Sequence, residues 1–252
     1  MHPILFSLGP LTLRSYGLMM AVSFLLGVAL SLHFNRREGR PDDDLLDLAV
    51  VIMLSAIAGA RALYVIVEWP EFAAAPWTVV AVWQGGLVYY GGLIGASIGA
   101  AVYLRRKKMP LWSYADVLAP GLALGQVTGR LGCFFNGCCY GREDAAHGLV
   151  FPALGDNIPR LPTMLYESAF CLLLCVFLVW LWGRRSYVGQ VFGVYVVGYA
   201  AWRFCIEFLR GDPERGTLIS SALSPSQWIS LLGLGLGALL LWRLRPAKPA
   251  GA

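Results

Sequence analysis

Charge is what this chain has least of. Asp, Glu, Lys and Arg together make up 14% of its 252 residues, against about a quarter of an ordinary soluble domain. Lysine occurs only at Lys107, Lys108 and Lys248, and histidine only at His2, His33 and His147. The first ten residues, MHPILFSLGP, hold no Lys or Arg, so the basic start of a cleavable signal peptide is missing and the first apolar segment is expected to be retained. Low charge excludes a soluble globule. The net charge of +5 and a pI near 9.0 then reflect basic loops rather than a nucleic-acid partner.

What the chain has in place of charge is apolar length. Hydrophobic residues are 58% of the total and the mean hydropathy is +0.62. A helix crosses the hydrocarbon layer with about 20 apolar residues, and seven stretches qualify: Tyr16 to Phe34, Leu45 to Val67, Gly86 to Leu104, Tyr114 to Phe134, Thr163 to Trp182, Val188 to Leu209 and Pro225 to Leu244. The expectation is an all-α polytopic membrane protein with seven transmembrane helices and one transmembrane domain over residues 1–252. The fourth stretch contains Asp116, Pro120 and Arg130, so other helices must shelter it from lipid. An aromatic loop at roughly 68–85 suits the headgroup layer. The polar loop at roughly 142–162 suits a small head outside the membrane.

Basic residues give the orientation. Arg36, Arg37 and Arg40, then Arg105, Arg106, Lys107 and Lys108, then Arg184 and Arg185, then Arg243, Arg245 and Lys248 follow the odd-numbered spans, which is 12 on one side. The opposite loops carry four: Arg14, Arg142, Arg160 and Arg215. Basic loops stay cytoplasmic, which puts the N-terminus outside and the C-terminus in the cytoplasm. Arg61, Arg130, Arg203 and Arg210 then fall in the outer halves of their spans, where the cost of about 2.5–3.5 kcal/mol for an arginine at mid-bilayer is reduced. Tyr16, Tyr89, Tyr90, Tyr166 and Glu167 share that level, and no histidine does by span position. Lysine is confined to cytoplasmic segments, which excludes retinal-type Schiff-base chemistry.

The stretch Gly129 to Arg142, GRLGCFFNGCCYGR, concentrates polar groups at the end of an apolar run. Its C-x4-C-C spacing lacks the paired C-x2-C pattern of structural zinc. No metal and no cofactor are expected, and Arg130 and Asn136 among glycines read as a backbone fold around a headgroup. On the sixth span Tyr199, Arg203 and Glu207 recur every four residues, followed by Arg210. That stripe reads either as an internal Arg203–Glu207 ion pair or as an anion site, guanidinium being matched to phosphate. Gly91, Gly95 and Gly99 on the third span and Gly121, Gly125 and Gly129 on the fourth make two smooth faces. The two faces are expected to meet, which would bring Tyr90, at the top of the third span, close to Arg130 at the top of the fourth. Asp116 reads as a helix-start device without chemistry.

These motifs resemble those of the prolipoprotein diacylglyceryl transferase family from end to end. The resemblance lies in HP followed by GPLTLRSYGLM, GARALYV, GGLVYYGGLIG, DVLAPGLALGQVTGRLGCFFNGCCYGR, LPTMLYES, YAAWRFCIEFLRGD and LSPSQWIS. It implies that Arg130 and Arg203 are essential and that Tyr16, Asn136, Gly141, Tyr199, Glu207 and Arg210 belong to the substrate-binding motif positions. The chain departs from the better-known form at Tyr90, where that form has histidine, and often at Cys133 and Cys138, where it has asparagine and glutamate.

The resemblance also implies a reaction: transfer of the diacylglyceryl group of phosphatidylglycerol to the lipobox cysteine in a prolipoprotein signal peptide, with a thioether formed and glycerol phosphate released. The place implied is the bacterial cytoplasmic (inner) membrane, with the site toward the outer leaflet of the lipid bilayer. Catalytic roles then go to Arg130, Arg203 and Tyr90, with the arginines holding phosphate and lowering the thiol pKa from about 8.5. Tyr90 orients the lipid. A seven-span transporter or receptor for an anionic ligand is the alternative, and the gathering of polar residues at one leaflet favours the enzyme.

Overall fold

The computed structural model describes residues 4–8, 11–211 and 223–246. His2, Arg215 and Lys248, named above, lie outside the described residues. The elements run β1 (Ile4–Leu8), β2 (Leu11–Arg14), α1 (Ser15–Arg37), α2 (Asp42–Val67), α3 (Trp69–Ala74), α4 (Tyr89–Arg106), α5 (Leu111–Asn136), β3 (Leu149–Val150), β4 (Pro159–Arg160), α6 (Thr163–Trp182), α7 (Gln190–Ile206) and α8 (Pro225–Leu244). Seven of the helices fall on the seven apolar stretches, with boundaries shifted by a few residues. The strands form two small antiparallel ladders, β1 with β2 and β3 with β4.

Five helices are long and apolar enough to cross a membrane: α1, α2, α6, α7 with its short 3-10 extension, and α8. Glycine and charge dilute the other two. α4 combines four glycines with Arg105 and Arg106, and α5 carries Asp116, Pro120 and Arg130. Local signals set the ends. Asp42, Asp43 and Asp44 occupy the first turn of α2, where the helix dipole favours acid. Ser224 and Gln227 make a reciprocal capping box at α8, with Pro225 in its first turn.

The chain divides into two compact units, residues 1–31 with 115–252 and residues 32–114. In the smaller unit α2 packs on α4 through glycine, with Gly91 and Gly95 against Gly59 and Ser55, and Gly99 against Ser55. In the larger unit Gly121 of α5 meets Gly27 and Ser31 of α1, while Gly125 and Gly129 face Ser23. The expectation that the two glycine stripes meet each other is therefore wrong. Each is covered by a different helix, and the basis for placing Tyr90 opposite Arg130 goes with it. Ser23 seals the α1–α5 contact through a 2.7 Å hydrogen bond with Thr128, as small and hydroxylated residues do where backbones approach closely.

Asp116 also differs from its expected role. Its carboxylate, fully buried in α5, accepts from the backbone N–H groups of Gly189 (2.7 Å) and Phe192 (2.8 Å). It caps the start of α7 from a neighbouring helix, satisfying donors that α7 itself leaves open.

Candidate active site

Three helices converge on one carboxylate. Glu167, in the second turn of α6, is fully buried, and its Oε1 lies 2.8 Å from a guanidinium nitrogen of Arg130 near the end of α5. The Tyr199 hydroxyl of α7 donates to the same oxygen at 2.9 Å, and Arg130 is hydrogen-bonded to Tyr199. Burying a carboxylate is tolerated only where charge and hydrogen bonds compensate it, and removing one partner of such a pair costs about 3–5 kcal/mol. The second oxygen of Glu167 is buried and meets no hydrogen-bond partner among the described residues. Arg130 keeps 23% of its side-chain surface exposed, so the pair holds the guanidinium in place without enclosing it.

One turn further along α7, about 6 Å at 1.5 Å per residue, Arg203 pairs with Glu207 at 2.8 Å. This is the internal ion pair that the four-residue spacing allowed. The network extends beyond it: Arg203 donates to Ser226 at 3.1 Å and the Ser224 hydroxyl donates to Glu207 at 2.8 Å, tying the end of α7 to the cap of α8. Nη1 of Arg203 is buried and has no partner among the described residues. A buried N–H donor of that kind costs free energy until an acceptor reaches it.

The third group is the turn after α5. The helix ends at Asn136, and Gly137 (φ 74°) and Cys139 (φ 67°) adopt left-handed backbone, the glycine being the ordinary helix stop. The turn folds back, with Cys138 N–H donating to the Cys133 carbonyl at 3.1 Å. As a result the sulfurs of Cys133, Cys138 and Cys139 all lie within 4.8 Å of one another. Asn136 bonds to the Cys138 thiol and Arg210 to that of Cys139. Hydrogen bonds from Cys133 and Cys138, reinforced by the Arg210 guanidinium, hold the Cys139 thiol well below its ordinary range. Phe151 and Met164, both fully buried, pack against Cys133 and close the cluster on its apolar side.

Gly141 continues the turn as a point of backbone contact. Its N–H donates to Leu161 at 2.7 Å, the next N–H, of Arg142, donates to Leu209 at 2.8 Å, and Gly141 bridges Arg210. A Cβ at Gly141 would run into the Leu209 carbonyl and the side chains of Thr163 and Leu161. Tyr16, in the first turn of α1, touches the Gly132 position and is within electrostatic reach of both Arg130 and the three thiols.

Arg130, Tyr199, Arg203, Glu207, Arg210, Tyr16, Asn136 and Gly141 thus all belong to the larger unit, at or beside these three groups. Tyr90 belongs to the smaller unit, in the first turn of α4, edge to face with Tyr89 at 5.6 Å. Arg61 is bound differently: four backbone carbonyls hold it inside the smaller unit. The sequence sets Glu167 at the same level as the four arginines but does not single out Arg130 as its partner. The signal was there, a carboxylate four residues into an apolar helix. The Ser224 and Ser226 links were visible only as a capping motif, and the meeting of three thiols needed the turn.

The sequence model of the family described as prolipoprotein diacylglyceryl transferase matches residues 3–243. The chain belongs to that family. It is 38% identical over 261 residues to the phosphatidylglycerol–prolipoprotein diacylglyceryl transferase of Nostoc sp., covering 98% of this chain and 91% of that protein. It is 36% identical over 241 residues to the Clostridium tetani protein of the same name, covering 94% and 95%. The second such transferase of Clostridium perfringens is 34% identical over 242 residues, covering 94% and 93%.

Proposed function

We propose that the protein transfers the diacylglyceryl group of phosphatidylglycerol to the lipobox cysteine of a prolipoprotein signal peptide, making a thioether and releasing glycerol phosphate. The observation that carries this reading is the pairing pattern of Arg130 and Arg203. Each guanidinium is held on one edge by a buried carboxylate, while Arg130 stays partly exposed and Arg203 keeps a buried N–H for an acceptor. Donors fixed in advance are what a phosphate leaving group requires, since its charge develops as the carbon–oxygen bond breaks. Tyr199 and Glu167 position Arg130; Glu207 positions Arg203; Arg210, Asn136, Gly141 and Tyr16 shape the turn beside them.

All seven long helices span the membrane in this reading, with α4 and α5 sheltered by the glycine contacts that cover them. The N-terminus lies outside, the C-terminus in the cytoplasm, and the site faces the outer leaflet of the bacterial cytoplasmic membrane. Loop 142–162, ordered by the β3–β4 ladder and the Arg160–Asp156 ion pair at 2.7 Å, is the small outer head. The test uses purified protein, phosphatidylglycerol labelled in its diacylglyceryl part and a lipobox peptide. Label is expected on the peptide cysteine and on no peptide whose cysteine is replaced by serine. A peptide that stays unlabelled while the same lipid and peptide react with an authentic transferase overturns the reading.

A further inference from the structure

We infer that Cys133, Cys138 and Cys139 form a three-thiolate site for a zinc-type divalent cation, with the fourth position open to the thiol that is alkylated. The inference deepens the proposed function and rests on it for the identity of the incoming thiol. It begins from a gap in that chemistry. The attacking thiol must lose its proton, yet the electrostatic source expected for this, unpaired arginine charge, is largely cancelled: Glu167 pairs with Arg130 and Glu207 with Arg203. Within the larger unit the one described histidine, His147, is exposed and lies beside Asp144 in loop 142–162. A metal-bound thiol, by contrast, is deprotonated outright.

The geometry suits such an ion. Zinc binds cysteine sulfur at about 2.3 Å, so tetrahedral coordination sets sulfurs about 3.8 Å apart. The three sulfurs here are already within 4.8 Å and need to close by an ångström or less, which rotation about the Cys138 and Cys139 side chains supplies. They come from two rigid pieces, the end of α5 and the turn that its own carbonyl ties back through the Cys138 N–H. The backbone at Cys139 is left-handed, a conformation that costs a residue with a Cβ about 1–2 kcal/mol, and in this turn its sulfur lies with the other two. Three protein ligands with a fourth position open is the pattern of catalytic rather than structural zinc. Three thiolates around a dication leave one net negative charge, which Arg210 meets by its bond to Cys139. Phe151 and Met164 keep water from the apolar side.

The step balances as follows. The peptide thiol binds the cation as thiolate and its proton passes to solvent. A sulfur lone pair attacks the glycerol carbon esterified to phosphate, and the carbon–oxygen bond breaks with its electron pair going to the phosphate oxygen. The neutral thioether, a far weaker ligand than thiolate, leaves the cation, and glycerol phosphate takes a proton from solvent.

Protein purified without chelator or thiol reductant is expected to carry about one zinc per chain. Cys133→Ser, Cys138→Ser and Cys139→Ser should each lose it, and Cys205→Ser, at an exposed cysteine outside the cluster, should keep it. Where a serine variant fails to elute as folded protein, cobalt exchanged into the wild type decides. Tetrahedral thiolate–cobalt bands should appear and should shift when lipobox peptide is added, but not when its serine analogue is. Chelation should bring a loss of transfer, with zinc restoring it. Metal-free protein that transfers at full rate overturns the inference and leaves the transferase intact. So does a titration showing two of the three thiols joined as a disulfide in active protein. Cobalt bands that answer to the peptide while no metal form transfers lipid support the site and overturn the transferase reading instead.

Discussion

Arg61 and Arg130 are two arginines set near the ends of apolar helices, and the sequence gives little to tell them apart. Arg61 is 7% exposed and donates to the carbonyls of Thr78 (2.5 Å), Val79 (2.8 Å), Gly85 (2.7 Å) and Gly86 (3.1 Å). Tyr64 and Phe72 lie against its guanidinium at 5.5 and 5.1 Å. All three of its nitrogens end on the loop from α3 to α4, and a 270 Å³ cavity beside it is lined by Tyr64, Phe72, Ala75, Thr78, Gly85 and Gly86. Arg130 is held by one carboxylate and one phenol and keeps an open edge. The lesson is that neutral carbonyls on all sides make arginine a clamp for a loop, whereas a carboxylate on one side makes it a preset donor for an anion.

Arg130→Ala breaks that comparison most severely. A single fixed donor to a developing oxyanion is worth about 100- to 1000-fold in turnover, and Arg130→Ala also strands Glu167. Transfer of labelled lipid is expected to fall at least that far, and Arg130→Lys is expected to recover little, because the fork geometry is lost. A lysine variant with near-normal turnover would reduce Arg130 to a point charge. Arg61→Ala should move stability instead. It leaves four carbonyls short of a donor, some of which rehydrate, for a loss of about 3 kcal/mol. The loop 69–88 becomes sensitive to protease and the thermal midpoint drops, while turnover per folded molecule changes less than for Arg130→Ala.

Helix number and position were legible because apolar length is a one-dimensional signal. The ion pair between Arg203 and Glu207 was legible because four residues is one helical turn. Partners on different helices were not: Glu167 with Arg130, and Asp116 with the start of α7, join residues 37 and more than 70 positions apart. Glycine spacing showed that α4 and α5 each have a face for close packing, but a smooth face does not name its partner, and α2 and α1 cover them rather than each other. The three thiols were visible as C-x4-C-C, and the left-handed turn that gathers them was not.

Gly141→Ala asks whether the signature turn acts through its backbone. The added methyl meets a carbonyl oxygen and two side chains, overpacking that costs about 1–3 kcal/mol, with protease sensitivity expected to appear in loop 142–162 before the helices respond. Glu167→Gln is milder, since it keeps shape and one acceptor but removes the charge that fixes Arg130. Turnover should fall about tenfold, the order of one hydrogen bond to a charged group, with lipid affinity changing less. If Tyr199→Phe adds the same factor again in the double variant, Glu167 and Tyr199 act on Arg130 separately rather than as one support.

The smallest effect belongs to the ion pairs of loop 142–162, and its sign is fixed. Hydrogen bonds from Arg160 hold the Asp156 carboxyl below the usual range, and the His147 backbone N–H followed by that of Ala146 does the same for Asp144. A carboxylate with a lowered folded pKa adds stability that is complete above its unfolded value, about 3.9, and is lost as pH falls through the folded value. Loop order, read by hydrogen exchange at Gly148 and Ile158, should therefore be the same at pH 7.5 and 5.5 and loosen only below about pH 4. Asp156→Asn should remove the Arg160 contribution at every pH. Solvent screens both pairs, so the change stays local. Loosening already at pH 5.5 would assign the order of this loop to some other group.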